Sequence, residues 1–386
     1  MTEVTAIDRP PRRGFRVGLK LYLWLCAVAV VLLAWQAWRL FETRVVVTRD
    51  APLDVGEVAW HQDGEVFRRT KVAQYVRDPV AGFRPAASTV MEFRMGPLDG
   101  ARQPVRLRVN NWGLVREDDL EGEIAAPRVL MLGDSHLMGV VDNERNAAHL
   151  LETELRRSPP HAGATVLNAA SGYYSLYQYV LRARTLLDAL QPTVVVVQVF
   201  AGNDFLELED VTRPHLDDRG QECPTATDPP VERTSERLAW LGMEGNPLFW
   251  QGMNQAAYLV REPDRRPVLE AKARRAVELM EALVEQHESK LLWLVLPSFD
   301  QVFPERVAAL GEAAARCVQA PREDSLHAWF VAFLRTRAHP AVDLLPAFRR
   351  ADDPELYALD YHVWEPAHRL IAETLALPLR ELLEDS

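Results

Sequence analysis

From residue 128 onward the chain alternates short apolar runs with stretches of helical periodicity. Residues 128–132 (Arg-Val-Leu-Met-Leu) and 165–168 (Thr-Val-Leu-Asn) have the length and character of buried strands. Residues 193–200 (Thr-Val-Val-Val-Val-Gln-Val-Phe) form the strongest run. Its β-branched side chains suit a central strand covered on both faces. Residues 291–296 and 341–345 predict two more strands. Between them lie helical patterns. Residues 175–190 place Leu176, Val180, Ala183, Leu187 and Leu190 on one face. Residues 147–157, 268–289, 323–337 and 366–383 also read as helices. This alternation predicts an α/β domain with a doubly wound, mostly parallel five-stranded sheet. Ligands of such sheets bind beyond the carboxyl ends of the strands.

Before residue 128 the pattern changes twice. Residues 21–38 are apolar apart from Gln36, and at about 18 residues the run is just long enough to cross a bilayer as a helix. Trp24, Trp35 and Trp38 suit membrane–water interfaces. Residues 1–20 carry Arg9, Arg12, Arg13, Arg16 and Lys20 against Glu3 and Asp8, which predicts a cytoplasmic tail. A core helix is rarely apolar on every face. A cleaved signal peptide would have a shorter run and a small-x-small cleavage site, which Trp35-Gln36-Ala37-Trp38-Arg39 does not offer. A single-pass anchor is therefore expected, with the rest of the chain in a periplasm or outside the cell. Residues 39–127 are polar and turn-rich and are expected to form a β-containing collar. Within it, residues 105–109 (Val-Arg-Leu-Arg-Val) alternate with period two. Asn110-Asn111-Trp112-Gly113 then reads as a turn.

Residues 128–386 remain as the main domain. One stretch in it, 205–264, is too long for a plain connection. It is expected to be an insertion beside the site, a lid or substrate wall, with helices at 235–241 and 247–260. The plainer reading is surface decoration. Hydrophobic residues at 48% and charged residues at 26% allow an ordinary globular core. The formal net charge is −11; with +3 in the first twenty residues, the remainder carries −14. An acidic main domain without a basic stripe argues against nucleic-acid binding. Outside the apolar span the cysteines are Cys223 and Cys317. They allow one disulfide in an oxidising compartment, or two unrelated thiols. No Cys/His spacing suggests zinc.

Four short blocks carry the chemistry: Gly133-Asp134-Ser135, Gly172, Gly202-Asn203-Asp204 and Asp360-Tyr361-His362. Each alone has a bland reading. Gly-Asp-Ser is a common helix cap, Gly172 suits a strand-to-helix turn, Gly-Asn-Asp suits any turn, and Asp360–His362 could be a surface pair. Taken in order, the first three fall at strand ends, so the sheet would carry them to one rim. A serine hydroxyl is a weak nucleophile without a neighbouring base. A histidine two residues from an aspartate can supply that base and its orienting acid. An asparagine amide can donate to an oxyanion without bringing a charge.

The blocks resemble the SGNH (GDSL) hydrolase family, over roughly residues 128–383. The resemblance implies a flavodoxin-like sheet and places the nucleophile at Ser135, the base at His362 and its partner at Asp360. It places the oxyanion donors at the Ser135 amide, the Gly172 amide and the Asn203 side chain, with no cofactor or metal. Some features depart from the common pattern. His136 follows the serine where leucine or another apolar residue is usual, and Ala367 replaces a glycine before the last helix. The spacing Asp-x-His is nearer to an outward-facing, membrane-bound branch that includes polysaccharide O-acetyltransferases; there Trp often follows the histidine, whereas here Val363 does, then Trp364. That branch also has an Asn-x-x-Gly stretch before the serine block, as Asn110 to Gly113 do here, which implies a collar packed on the catalytic domain. The expected activity is hydrolysis of acyl esters, acetyl among them, on an envelope or extracellular glycan or lipid. The alternatives are acyl transfer to a polysaccharide, or a catalytically idle glycan-binding scaffold. His149, His161 and His368 are expected to be structural or surface residues without partners.

Overall fold

The computed structural model describes residues 75–211, 213–224, 248, 251–318 and 325–384, with Tyr22, Trp24, residues 28–30, Leu32, residues 61–62 and residues 65–66. Most of the expected anchor (21–38), and the helix expected at 235–241, lie outside these residues. Among the described residues no helix is long and apolar enough to cross a membrane.

A two-residue pair, His61–Gln62 with Glu65–Val66, is followed by two longer hairpins. Strands β1 (Tyr75–Asp78) and β2 (Gly82–Pro85) pair antiparallel, as do β3 (Thr89–Met95) and β4 (Gln103–Val109). The period-two reading of 105–109 thus identified half of a ladder whose other half, β3, it did not. The turn after β4 is held by Asn110, whose side-chain oxygen accepts from the amides of Trp112 and Leu114. Val115 then bridges Val109 on one side and Asn168 on the other. The collar is thereby tied to the main sheet by backbone hydrogen bonds as well as by apolar packing.

The main sheet contains β5 (Arg128–Leu132), β6 (Thr165–Asn168), β7 (Val194–Phe200), β8 (Lys290–Leu296) and β9 (Ala341–Asp343). Their spatial order is β9-β8-β7-β5-β6, and every pairing is parallel. The period-two rule divides each strand between two cores. Val129, Met131, Val194, Val196, Leu292 and Leu294 face one; Leu130, Leu132, Val195, Val197, Leu291 and Trp293 face the other. The first core is closed by α2 (Ala147–Arg156) and the C-terminal helix Glu365–Glu384, the second by α3 (Leu176–Leu190) and the helix Arg266–Gln286. Val194 to Val197 are wholly buried, which explains why this strand has no polar alternation. Truncating one of these valines removes a contribution of roughly 1.5–3 kcal/mol. The strand order reverses between β5 and β7, the position at which α/β sheets open a crevice.

The last predicted strand is shorter than expected. Pro346 is an early residue of the helix Leu345–Ala351, and the Asp343 side chain accepts from the amide of Leu345, where that helix begins. Cys223 and Cys317 are free thiols, so the possible disulfide is absent.

Candidate active site

Ser135 lies three residues past β5, at the start of a one-turn helix, α1 (Ser135–Met138). Asp134 caps that turn by accepting from the His136 amide at 2.9 Å. The cap reading of Gly-Asp-Ser is therefore correct for Asp134, and it is what aims Ser135 over the strand end. Gly133 admits no side chain, since a Cβ there would lie 2.7 Å from Gln198 Oε1 and 2.9 Å from Leu137.

Residues 356–364 make a tight hairpin of their own. The Ala358 amide donates to His362 O at 2.7 Å, and Tyr357 bridges Val363. Tyr361 occupies the turn with φ of 65°, a left-handed conformation that usually costs a non-glycine residue about 1–2 kcal/mol. The tip of the β3–β4 hairpin grips this loop: Leu98 N donates to Tyr357 O, and Leu359 N to Gly96 O. Asp360 accepts from the His362 amide through Oδ1 (3.2 Å) and bonds the ring Nδ1 through Oδ2 (2.9 Å). One carboxylate thus fixes both the backbone and the ring of the same histidine. The other ring nitrogen, Nε2, lies 2.8 Å from Ser135 Oγ. Asp360, His362 and Ser135 form one hydrogen-bonded line, with the aspartate and histidine almost fully buried.

The two other expected residues stand on the same rim. A Cβ placed on Gly172 would be 3.8 Å from Ser135 Cβ and 2.5 Å from Tyr75 Oη. The need for glycine at 172 is thus steric; the left-handed residue of this turn is Tyr173, with φ of 64°. The Tyr75 hydroxyl beside Gly172 donates to Met138 Sδ at 3.8 Å. Asn203, half-buried, stands on the turn after β7, the strand next to β5. Behind it Asp204 is fully buried, and its Oδ2 accepts from the Phe200 amide and the Tyr179 hydroxyl.

Electrostatics set the resting charge of the site. Burial works to lower the His362 pKa, but the charge and hydrogen bond of Asp360, helped by Asp134, raise it above the ordinary 6.5. Burial raises Asp134 to about 6, against the opposing pull of His362. His136 and His368 are both pushed down by burial and by His362, the latter to about 3. His368 was expected to lack partners; instead it is fully buried, and its Nδ1 accepts from the Ala147 amide. His161 is buried, 3.9 Å from Glu384.

Two residues outside the four blocks also enter the site. His136 is wholly buried, stacked on Phe200 at 3.6 Å between centroids and tilted against His362 at 4.7 Å. Gln251, from the 205–264 insertion, lies against both histidines. The sequence marked His136 only as an unusual neighbour of the serine. For Gln251 no local signal existed, because nothing in its own segment points to a partner more than a hundred residues away. Of the helix expected at 247–260, the structure describes Met253–Arg261, which puts Gln251 just ahead of it. Among the described residues, no three His, Cys, Asp or Glu side chains are grouped so as to hold a metal ion.

No family model matches the chain, and no curated protein matches it. Several solved structures are similar to it. An acetyl xylan esterase is 14% identical, with 65% of this chain and 99% of the other covered and a TM-score of 0.37. A psychrotrophic esterase from a Pseudoalteromonas species, inhibited by monoethylphosphonate, is 12% identical over 67% of this chain and 100% of its own, with a TM-score of 0.35. A GDSL-like lipase from Bacteroides thetaiotaomicron is 14% identical over 67% of this chain and 88% of its own, with a TM-score of 0.34. At these scores the likeness carries no weight for chemistry, which rests on the side chains of the rim.

Proposed function

We propose that this chain is a serine esterase. The observation that carries the reading is the line from Asp360 through His362 to Ser135, with bonds of 2.9 and 2.8 Å. His362 Nε2 takes the Ser135 proton as Oγ attacks an acyl carbon. Asp360 holds the ring so that Nε2 faces the serine, and it stabilises the imidazolium that forms. The carbonyl oxygen gains negative charge in that step. The amides of Ser135 and Gly172 and the side chain of Asn203 are the donors for it. Collapse expels the alcohol, which leaves with the proton from His362. Water then repeats the sequence on the acyl-enzyme.

The substrate belongs to the acyl esters, acetyl esters included, of an envelope or extracellular glycan or lipid. The apolar run at 21–38 supports that placement, with an anchor that leaves the ester site on the outer side. Turnover of p-nitrophenyl acetate by the full chain tests the chemistry, with Ser135→Ala as control. Equal rates in both, together with no fluorophosphonate labelling of Ser135, would refute it.

A further inference from the structure

Gln251 is 5% exposed and reaches the reacting nitrogen from the insertion. Its Nε2 lies 3.4 Å from His362 Nε2, and its Oε1 lies 2.8 Å from His136 Nε2. The second nitrogen of His136, Nδ1, is 3.3 Å from the Val363 amide. Donor accounting fixes the direction of each bond. A backbone N–H can only donate, so His136 Nδ1 accepts. A neutral imidazole then carries its proton on Nε2 and donates it to Gln251 Oε1. That turns the amide NH2 of Gln251 toward His362. The reversed amide would set two donors against each other at His136 Nε2. Stacking on Phe200 holds the His136 ring in plane, and burial keeps it neutral.

We propose that Gln251, oriented by His136, donates a hydrogen bond to the oxygen that exchanges a proton with His362, and so assists departure of poor alcohol leaving groups. The inference rests on the esterase reading above. When the tetrahedral intermediate collapses, the bond between the acyl carbon and the alcohol oxygen breaks. Its electron pair stays on that oxygen, which takes the proton from His362 Nε2. The oxygen keeps further lone pairs. Two nitrogens 3.4 Å apart can both stand at hydrogen-bond distance from one oxygen between them. In the second half the oxygen is that of water, which gives its proton to Nε2 as it attacks the acyl-enzyme. Gln251 is then a catalytic residue and His136 a positioning residue.

The test compares an unactivated alkyl acetate with p-nitrophenyl acetate in the full chain, using kcat/KM, which covers the steps up to loss of the alcohol. Nitrophenolate leaves without help; an alkoxide does not. Gln251→Met is expected to lower kcat/KM about 10- to 100-fold on the alkyl ester, the worth of one hydrogen bond to a charged group. The effect on the nitrophenyl ester should be under about threefold. Gln251→Leu likewise removes the donor without adding a charge, so it should show the same selective loss and carries the test if the Met variant does not fold. His136→Leu should reproduce the selectivity, and the double variant should be no worse than its poorer single. Uniform losses on both esters, or losses that multiply, overturn the inference and leave the esterase reading standing. Wild-type protein without Ser135-dependent turnover of either ester overturns both.

Discussion

Among the described residues, two aspartate–histidine pairs have the same length, and only one of them faces a hydroxyl. Asp360 and His362 meet at 2.9 Å; so do Asp343 and His327. The two histidines are equally buried, at 2% and 3% exposed, although Asp343 is more open than Asp360. What differs is which nitrogen is spent and where the pair stands. His362 gives Nδ1 to its aspartate and leaves Nε2 on Ser135. His327 gives Nε2 to Asp343 and keeps Nδ1 buried without a partner among the described residues. The second pair ties the helix Leu326–Leu334 to the edge strand β9, three strands from β5 and about 14 Å away at ordinary strand spacing. An aspartate–histidine pair is thus a strut by default. The third group and the switch point of the sheet make it a site.

The pairs also differ in how pH acts on them. Burial alone would raise the Asp343 pKa, but the hydrogen bond and charge of His327 more than offset it, and the carboxyl is held below 3.8. That contribution to stability is present above the unfolded value and lost as pH falls through the folded one. His362 is raised, so its contribution is full below 6.5 and lost as pH rises through its folded value.

The contrast can be broken by substitution. Ser135→Ala should abolish esterase activity, a loss of at least about 10⁴-fold in kcat on p-nitrophenyl acetate, with the urea midpoint unchanged. Asp360→Asn should cost up to about 10⁴-fold in kcat. The equivalent Asp343→Asn should leave kcat within about threefold and instead lower unfolding free energy by about 1–3 kcal/mol in urea titration. A loss of activity from Asp343→Asn comparable with Asp360→Asn would erase the distinction. Asn203→Ala should lower kcat about 10²- to 10³-fold with little change in KM, as for removal of one oxyanion donor. The pH profile sharpens the comparison most finely. The base must be neutral, so the acidic limb of kcat/KM should have its midpoint above 6.5. The titratable groups around His362 are Asp360, Asp134, His136 and His368. Asp360→Asn removes the main group that raises it and should move the limb to lower pH. Asp343→Asn should leave the limb where it is.

Much of the sheet was legible because each strand carries its own signal. Residues 128–132 and 165–168 coincide with observed strands, and 193–200 and 291–296 differ from β7 and β8 by one residue. The helix read at 323–337 proved shorter, Leu326–Leu334, and β9 ended early because the next helix begins at Leu345. β3 was missed because Val90 and Met91 adjoin in Thr-Val-Met-Glu-Phe-Arg-Met and blur its alternation, so its partner decides it. In the site, Ser135, Gly172, Asn203, Asp360 and His362 were readable because each sits in a short block at an element end. Gln251 was not, since it meets the two histidines across a distance that no local pattern encodes.

The order and periodicity of the apolar runs determined the five-stranded α/β domain, because burial on two faces dictates which residues a strand can hold. The same runs determined that three distant blocks end on one rim, since parallel strands all point the same way. Only the tertiary structure decided that Asp343 and His327 form a second pair away from any serine, that the Cys223 and Cys317 thiols stay apart, and that Gln251 and His136 stand against His362. Those outcomes depend on ångström-scale meetings between segments far apart in the chain, and hydrogen bonding is too short-ranged for sequence order to express them.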